Sequence, residues 1–263
     1  MEFAREYLVH YYEADSTRHL TLTALVQYLE DIAILHSTSR GLDLDYYDAN
    51  HCGWMLLKWD IRIDARPVFG DTVRVDTKVH ALKTFQADRE FTVTAADGSV
   101  LATARSNWLL VDTIRRRPIK LPAEQYEKFN VTADSGRDYI AIDDVSAVAD
   151  GEGSVGAGEP LRSRSVIRTT NSDIDTNNHV NNVRYLNWAI DSLPSDFVGQ
   201  RYPTRLLAQY KKELGAQSSA DVVSLVSPEG SLSRHTIRAG TDEYCSLEIE
   251  WRSSTGGDDG TLQ

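Results

Sequence analysis

Cysteine is scarce in this chain of 263 residues: only Cys52 and Cys245 occur, and they do not form a C-x-x-C motif. Two such cysteines argue against a disulfide framework and against a zinc site. The sequence also has no uninterrupted apolar stretch of membrane-spanning length, and its N-terminus lacks the apolar core of a signal peptide. These absences predict a cytoplasmic protein with two reduced thiols and no membrane span.

Basic residues are fewer than acidic ones, because 28 Lys and Arg stand against 39 Asp and Glu and leave a net charge of −11. Such a chain is a poor partner for nucleic acid, whose phosphates repel it. The excess acid is concentrated in residues 123–160, which hold nine acidic and two basic side chains. The same segment is polar and rich in Gly, so it is predicted to be an acidic linker between two domains.

The two sides of this linker have the same order of elements. Each opens with an extended stretch, continues through a polar turn into a helix, and ends in four strand-like runs. Apolar residues at helical spacing mark the helices at Leu22, Leu25, Val26, Leu29, Ile32 and Ala33, and at Val183, Leu186, Ile190 and Leu193. The predicted strands are residues 5–12, 54–63, 72–82, 86–95 and 100–111, and then residues 163–168, 204–213, 221–227, 231–239 and 243–252.

One strand, one long helix and a meander of antiparallel strands describe a sheet wrapped around a central helix, which is a hot-dog fold. The sequence therefore predicts an α+β protein with a tandem hot-dog, in which residues 1–122 and 161–252 are duplicated domains. Residues 253–263 are predicted to be a disordered tail. An Asp-x-x-x-His pair recurs in both halves, as Asp15 with His19 and as Asp175 with His179.

Residues 169–182, TTNSDIDTNNHVNN, place five Asn, two Asp and one His at the start of the second helix. Asn and Asp are favoured at helix N-caps, but one cap needs only one or two of them. We expect Asn181 and Asn182 to serve the turn or the helix surface. The remaining polar groups fit a reaction site, since a carboxylate before a His can fix its tautomer and raise its basicity.

The stretch DIDTNNHVNNVRYLNWAIDSLP resembles the D-x-N-x-H-V-N-N signature in the C-terminal half of plant and bacterial acyl-ACP thioesterases. Three further stretches are similar to other parts of that family: GWMLLKWDIRIDARPVFGDTVRVDT, RSNWLLVDTIRRRPIKLP and QYKKELGAQSSADVVS. The resemblance implies catalytic roles for Asp175, Asn177 and His179, and for Glu213 on the predicted strand that follows the helix.

Two departures from the family pattern bear on the mechanism. Many plant members have a cysteine after the residue that matches Glu213, whereas this chain has Leu214. The motif therefore offers no thiol for an acyl-cysteine intermediate. The first half has Thr17 where the second has Asn177, so we expect it to lack a reaction centre and, as the resemblance implies, to house the acyl chain.

The resemblance implies hydrolysis of a fatty acyl thioester on acyl carrier protein (ACP), with no cofactor and no metal. Glu213 would act as the base, His179 and Asn177 would orient the water or the carbonyl, and backbone N–H groups near Val180 would hold the oxyanion. Because carrier proteins are acidic, they need a local basic patch, and the densest candidate is Arg115, Arg116, Arg117 and Lys120.

Three alternatives stay open at this point, namely an acyl-CoA thioesterase, a hot-dog dehydratase or hydratase, and a non-catalytic acyl-binding protein. A homodimer is an open alternative for the assembly of the chain.

Overall fold

Each half of the chain contributes a set of antiparallel strands with a main helix packed on them. A computed structural model describes residues 2–131, 142–148, 159–176 and 178–254. The chain divides by its internal contacts into two units, residues 1–143 and residues 144–263. The predicted α+β class and the tandem hot-dog are confirmed, since each unit combines antiparallel strands with one main helix.

In the first unit the strands follow the order β1-β3-β4-β5-β2, and the short β6 pairs with β5. The strands are β1 (Phe3–Leu8), β2 (Cys52–Ile63), β3 (Thr72–Leu82), β4 (Gln86–Thr94), β5 (Val100–Asp112) and β6 (Arg117–Pro118). The helices are α1 (Leu22–Ser39), α2 (Leu44–Ala49) and α3 (Ala123–Phe129).

The second unit repeats this order as β7-β9-β10-β11-β8. Its strands are β7 (Leu161–Arg168), β8 (Arg201–Tyr210), β9 (Ser219–Val226), β10 (Leu232–Ala239) and β11 (Asp242–Ser253). Its helices are α4 (Asn182–Asp191) and α5 (Ser195–Gly199). The same strand order in both units is what a duplicated domain predicts.

The core of each unit lies between the sheet and its main helix. All six apolar positions predicted for α1 are buried, and Leu29 and Ile32 are completely so. In α4, Val183 and Leu186 are buried as predicted, whereas Ile190 is partly exposed and the buried face includes Tyr185. Apolar burial of this kind is the main source of stability for such short helices.

Several local predictions differ from the structure. The strand predicted at residues 5–12 ends at Leu8, and a 3-10 helix follows at Tyr11–Glu13. The short helices α2 and α5 lie in connections for which no helix or strand was predicted. The strand predicted at residues 204–213 ends at Tyr210, so Glu213 lies in the connection after β8 and not on the strand. The two strand differences fall at the ends of elements, which are the hardest positions to assign.

The segment predicted as a linker, residues 123–160, begins with helix α3, whose Phe129 is buried in an apolar cluster with Leu42 and Leu110. Further along, Ile142, Val145 and Val148 are also buried. Residues 132–141 and 149–158 of that prediction, and the predicted tail from residue 255 onward, lie outside the described residues. Within the described ranges, no helix is long and apolar enough to cross a membrane.

Candidate active site

The polar turn before α4 contains residues that hold its own backbone. The carboxylate of Asp173 accepts hydrogen bonds from the backbone N–H and the hydroxyl of Thr170, at 2.7 and 2.8 Å. Asn181 is the N-cap of α4, and its side-chain oxygen accepts the N–H of Val183 at 2.9 Å. The prediction that Asn181 serves the turn is confirmed. Capping therefore accounts for Asp173 and Asn181, but not for the residues between them.

Asp175 and His179 close a tight loop between those two capping residues. The N–H of Asp175 donates to the carbonyl of His179 at 2.8 Å, and the N–H of His179 donates to the Asp175 carboxylate at 3.2 Å. Asn178 has a φ of 62°, a left-handed conformation that Asn tolerates better than most residues. Asn177, predicted to act with them, lies outside the described residues. The loop fixes the backbone on which the His179 ring is carried.

Glu213 meets His179 although the two are distant in sequence. His179 Nε2 and Glu213 Oε2 are 3.4 Å apart, and their side chains are 25% and 28% exposed. The carbonyl of Leu214 accepts the N–H of Val180 at 2.8 Å, and His179 forms a β-bridge with Gly215. These backbone contacts hold the connection after β8 against the turn. The structure thus brings together three of the four predicted catalytic residues.

The two lysines that precede Glu213 in sequence form ion pairs with other acids. Lys211 Nζ lies 2.6 Å from Glu243, and Lys212 Nζ pairs with Asp242. An acid at the position of Glu213 with a role only in surface charge would be expected to pair with these adjacent bases. The carboxylate is placed beside an imidazole that also reaches solvent, which is the arrangement that general acid–base chemistry needs.

Backbone hydrogen bonds bear on the predicted oxyanion site, and burial bears on the absence of a thiol nucleophile. The N–H of Val180 donates to Leu214, and that of Asn181 donates to Asp173, so neither of these two groups is the oxyanion donor that the sequence predicted near Val180. Leu214, at the position of the plant cysteine, is 2% exposed. Burial raises the pKa of the Cys52 thiol and raises that of Cys245 further. Both thiols are therefore poor nucleophiles.

The first unit builds the same turn with different side chains. The N–H of Leu20 donates to Pro67, as that of Val180 does to Leu214, and His19 bridges Val68, as His179 bridges Gly215. By this correspondence Arg66 stands where the second unit has Glu213. The sequence interpretation missed Arg66, although aligning the two halves on these connections would have found it.

Arg66 turns towards the acid of the first turn. Its Nη1 lies 2.7 Å from the Asp15 carboxylate, and the hydroxyl of Thr17 lies 2.9 Å from Nδ1 of His19. Burial raises the pKa of Asp15, but the hydrogen bonds from Thr17 and Arg66 outweigh burial and lower it below its usual value. In the first turn the side chains of Asp15, Thr17 and Arg66 are hydrogen-bonded within the turn. The position that holds the carboxylate of Glu213 in the second unit is occupied by Arg66 in the first.

The predicted basic cluster lies at the exposed tip of the β5–β6 hairpin. The carboxylate of Asp112 accepts the N–H groups of Ile114 and Arg115 at 2.9 and 2.6 Å, and these bonds lower its pKa. Arg115, Arg116, Arg117 and Lys120 are all exposed. The turn therefore presents four basic side chains to solvent, and Ile114 beside them is 67% exposed.

Comparisons with known proteins agree with the fold and with the predicted family. The model of the acyl-ACP thioesterase N-terminal domain matches residues 1–129, and that of the C-terminal domain matches residues 161–253. A palmitoyl-acyl carrier protein thioesterase of Gossypium hirsutum is 26% identical over 86% of this chain and 55% of its own length. An acyl-[acyl-carrier-protein] hydrolase of Cuphea viscosissima is 24% identical over 99% of this chain and 65% of its own. The chain thus spans less than two thirds of the length of these two relatives.

Two solved structures share the fold over nearly the whole chain. The 12:0-ACP thioesterase from Umbellularia californica has a TM-score of 0.81 and 21% identity, covering 96% of this chain and 98% of that one. An acyl-ACP thioesterase from Bacteroides thetaiotaomicron has a TM-score of 0.79 and 19% identity, covering 95% and 98%. Together with the two domain models, which match both units, these findings show that the chain belongs to the acyl-ACP thioesterase family.

Proposed function

We propose that this protein hydrolyses fatty acyl thioesters of acyl carrier protein, which releases a free fatty acid and ends its elongation on the carrier. The observation that carries the proposal is the His179–Glu213 pair of the second unit, in which the two side chains are 3.4 Å apart. In the first unit Arg66 takes the place of Glu213 and pairs with Asp15 instead. Family membership supplies the substrate class. The names of the plant relatives support a carrier-bound acyl group as the substrate.

In the proposed mechanism Glu213 is the general base. Its carboxylate takes a proton from a water molecule whose oxygen attacks the thioester carbonyl carbon. The tetrahedral intermediate then breaks its C–S bond, and the proton held by Glu213 passes to the departing carrier thiolate. A thiolate leaves without strong acid assistance, so one well-placed base suffices, and no metal or cofactor takes part in these steps.

His179 and Asp175 prepare the site for that step. Asp175 holds the backbone N–H of His179, and the imidazole Nε2 faces the Glu213 carboxylate. The ring thereby orients either the attacking water or the carbonyl oxygen. Asn177 matches the Asn of the family signature. Its side-chain amide is proposed to donate a hydrogen bond to the oxygen that His179 orients, whether of the water or of the carbonyl.

The proposal is tested by steady-state hydrolysis of acyl-ACP and of the matching acyl-CoA with wild type and Glu213→Gln. We expect a higher kcat/KM on acyl-ACP, no loss of activity after EDTA treatment, and a fall in kcat of about a hundredfold or more in the variant. Binding of acyl groups without hydrolysis, or hydration in place of hydrolysis, would contradict the proposal. A preference for acyl-CoA would keep the chemistry and reassign the carrier.

The basic hairpin tip, Arg115, Arg116, Arg117 and Lys120, is the proposed contact for the acidic carrier. Replacing its three arginines by Glu is expected to raise KM for acyl-ACP and to flatten its dependence on salt, without changing the rate on a small thioester. The matched control replaces Arg162, Arg164 and Arg168 of β7, which are also exposed, and changes the net charge equally. Equal effects of both triple variants would assign the result to net charge rather than to the tip.

Two remaining parts of the proposal concern the acyl chain and the compartment. The first unit, which has Arg66 in the place of Glu213, is proposed to bind the acyl chain. The protein is proposed to be cytoplasmic, as its sequence predicts. Crosslinking of a photoreactive acyl-ACP followed by peptide mapping tests the first part, and fractionation of source cells tests the second.

A further inference from the structure

Tyr185 connects the helix α4 to the segment that carries Glu213. Its side chain lies in the core of the second unit and is 2% exposed. Its hydroxyl oxygen accepts the backbone N–H of Leu214 at 3.1 Å. Leu214 directly follows Glu213, so this hydrogen bond is formed one peptide unit away from the proposed base.

That hydrogen bond controls the backbone of Glu213 itself. The N–H of Leu214 belongs to the planar peptide group that begins at the carbonyl carbon of Glu213. Holding this peptide plane in place restrains the direction in which the Glu213 side chain projects from the backbone. The carbonyl of Leu214 is held separately, because it accepts the N–H of Val180 at 2.8 Å. One bond ties the segment to α4, and the other ties it to the His179 turn.

The first unit lacks one of these two ties. It keeps the carbonyl bond, from the N–H of Leu20 to Pro67. At the position of Leu214, however, Pro67 has no N–H to donate. The fourth residue after the helix N-cap, which is Tyr185 in α4, is Leu25 in α1 and has no hydroxyl to accept one. Donor and acceptor are both missing in the unit that has Arg66 in place of Glu213.

The ring of Tyr185 is itself held in place. It packs edge-on against Trp188 and Tyr210, with ring centroids 5.4 and 5.9 Å away. Burial raises the pKa of its hydroxyl well above the ordinary value, so the group stays neutral across the working pH range. A fixed neutral hydroxyl of this kind can set a backbone position without adding charge beside Glu213.

We propose that Tyr185 is a positioning residue for the reaction, acting through the Leu214 N–H to hold the Glu213 carboxylate opposite His179. The inference rests on the proposed function, since it assigns Tyr185 to the placement of the proposed base. It predicts that the hydroxyl affects kcat through its hydrogen bond to the backbone N–H of Leu214. Misplacement of a reacting group by about 1 Å can cost on the order of a hundredfold in rate.

The test is Tyr185→Phe, which removes the hydroxyl and keeps the ring. We expect kcat on acyl-ACP to fall about ten- to a hundredfold, with KM within about twofold of wild type. The matched control is Tyr210→Phe, which removes a hydroxyl from the same aromatic cluster. That hydroxyl donates to the carbonyl of Asn182 at 3.3 Å, and this carbonyl keeps its helical partner in the variant. Its kcat is expected to stay within about twofold.

The double variant Tyr185→Phe/Glu213→Gln decides whether the hydroxyl acts through Glu213. If it does, adding Tyr185→Phe to Glu213→Gln lowers kcat less than about twofold further. Multiplicative losses, or an unchanged kcat in Tyr185→Phe alone, would overturn the inference. Full activity of Glu213→Gln would instead overturn the proposed base, so the two failures are distinguishable.

Discussion

The turns that carry His19 and His179 share the same described backbone hydrogen bonds and differ in the residue that a distant connection places beside them. In both, the Asp N–H donates to the His carbonyl at 2.8 Å, and Arg18 and Asn178 adopt φ values of 68° and 62°. In the second turn His179 meets Glu213, whereas in the first Arg66 binds Asp15. The turn is therefore a structural device of the fold, and its two copies differ in the residue that a distant connection places beside it.

The interiors of the two units differ in a similar way. Each has a completely buried histidine whose pKa is lowered to about 3, chiefly by burial. His36 lies 2.9 Å from Arg89, whose charge lowers that pKa further. His235 instead accepts or donates hydrogen bonds with Ser224 and Ser233, at 2.7 and 2.8 Å. The first unit thus buries a cation, while the second has a neutral polar chain in its core.

The strongest test of the comparison replaces each histidine in turn. His179→Ala should lower kcat on acyl-ACP about a hundredfold or more, because it removes the group that faces Glu213. His19→Ala should lower it less than about threefold, because His19 faces no carboxylate equivalent to Glu213. Steady-state kinetics of both variants provides the measurement. Equal losses would refute the division of labour between the units.

A pH titration of stability separates the buried histidines from surface groups. His235 binds a proton below about pH 6.5 when unfolded but only near pH 3 when folded, so its contribution is complete above pH 6.5 and is lost as the pH falls. Between pH 7 and 5 this one histidine should lower the free energy of unfolding by about 2 kcal/mol.

Chemical denaturation of wild type and His235→Gln at both pH values measures that effect. The variant should be less stable at pH 7 but should lose about 2 kcal/mol less than wild type on going to pH 5. The same loss in both proteins would show that His235 is protonated in the folded state.

A smaller effect distinguishes a cap from a reaction centre within the second turn. Asn181→Ala removes the acceptor of the Val183 N–H and should lower the free energy of unfolding by about 1 kcal/mol. Its kcat should stay within about threefold of wild type, in contrast to His179→Ala. A denaturation curve paired with a rate measurement tests both statements, and a hundredfold loss of kcat would place Asn181 in the reaction centre.

The smallest expected effect comes from the two thiols, one in each unit. Cys52→Ala/Cys245→Ala should retain kcat within about twofold, because both side chains are buried and burial raises the pKa of both. Hydrolysis by the double variant, with circular dichroism to confirm its fold, is the measurement. A large loss with the fold intact would revive an acyl-cysteine mechanism.

The sequence was sufficient for the elements whose pattern is long and periodic. The strand Thr72–Leu82 begins and ends at the predicted residues, and both main helices were located. Helices α2 and α5 have six and five residues, too few for a helical repeat to be visible. The apolar stripe of α4 omitted Tyr185, because a tyrosine with a polar end does not mark a buried face by composition alone.

The residues of the candidate site could be named from the sequence, but the contacts between distant parts of the chain could not. Asp175 and His179 are neighbours in sequence, so their pairing follows from local spacing. Glu213 was assigned by family resemblance only, because its contact with His179 depends on the backbone bridge to Leu214 and Gly215. The loss of the predicted oxyanion donor at Val180 has the same cause, since that bridge consumes its N–H.

The Arg66–Asp15 ion pair opposes the gain of a second reaction centre in the first unit. Replacing Arg66 by Glu would remove the partner of Asp15 and set a second carboxylate beside it, so the first step towards such a centre would destabilise the turn. Pro67 and Thr17 would have to change as well before such a carboxylate could be held and used. Each intermediate sequence would carry a cost without a catalytic return, so natural selection is expected to keep this protein at one reaction centre per chain.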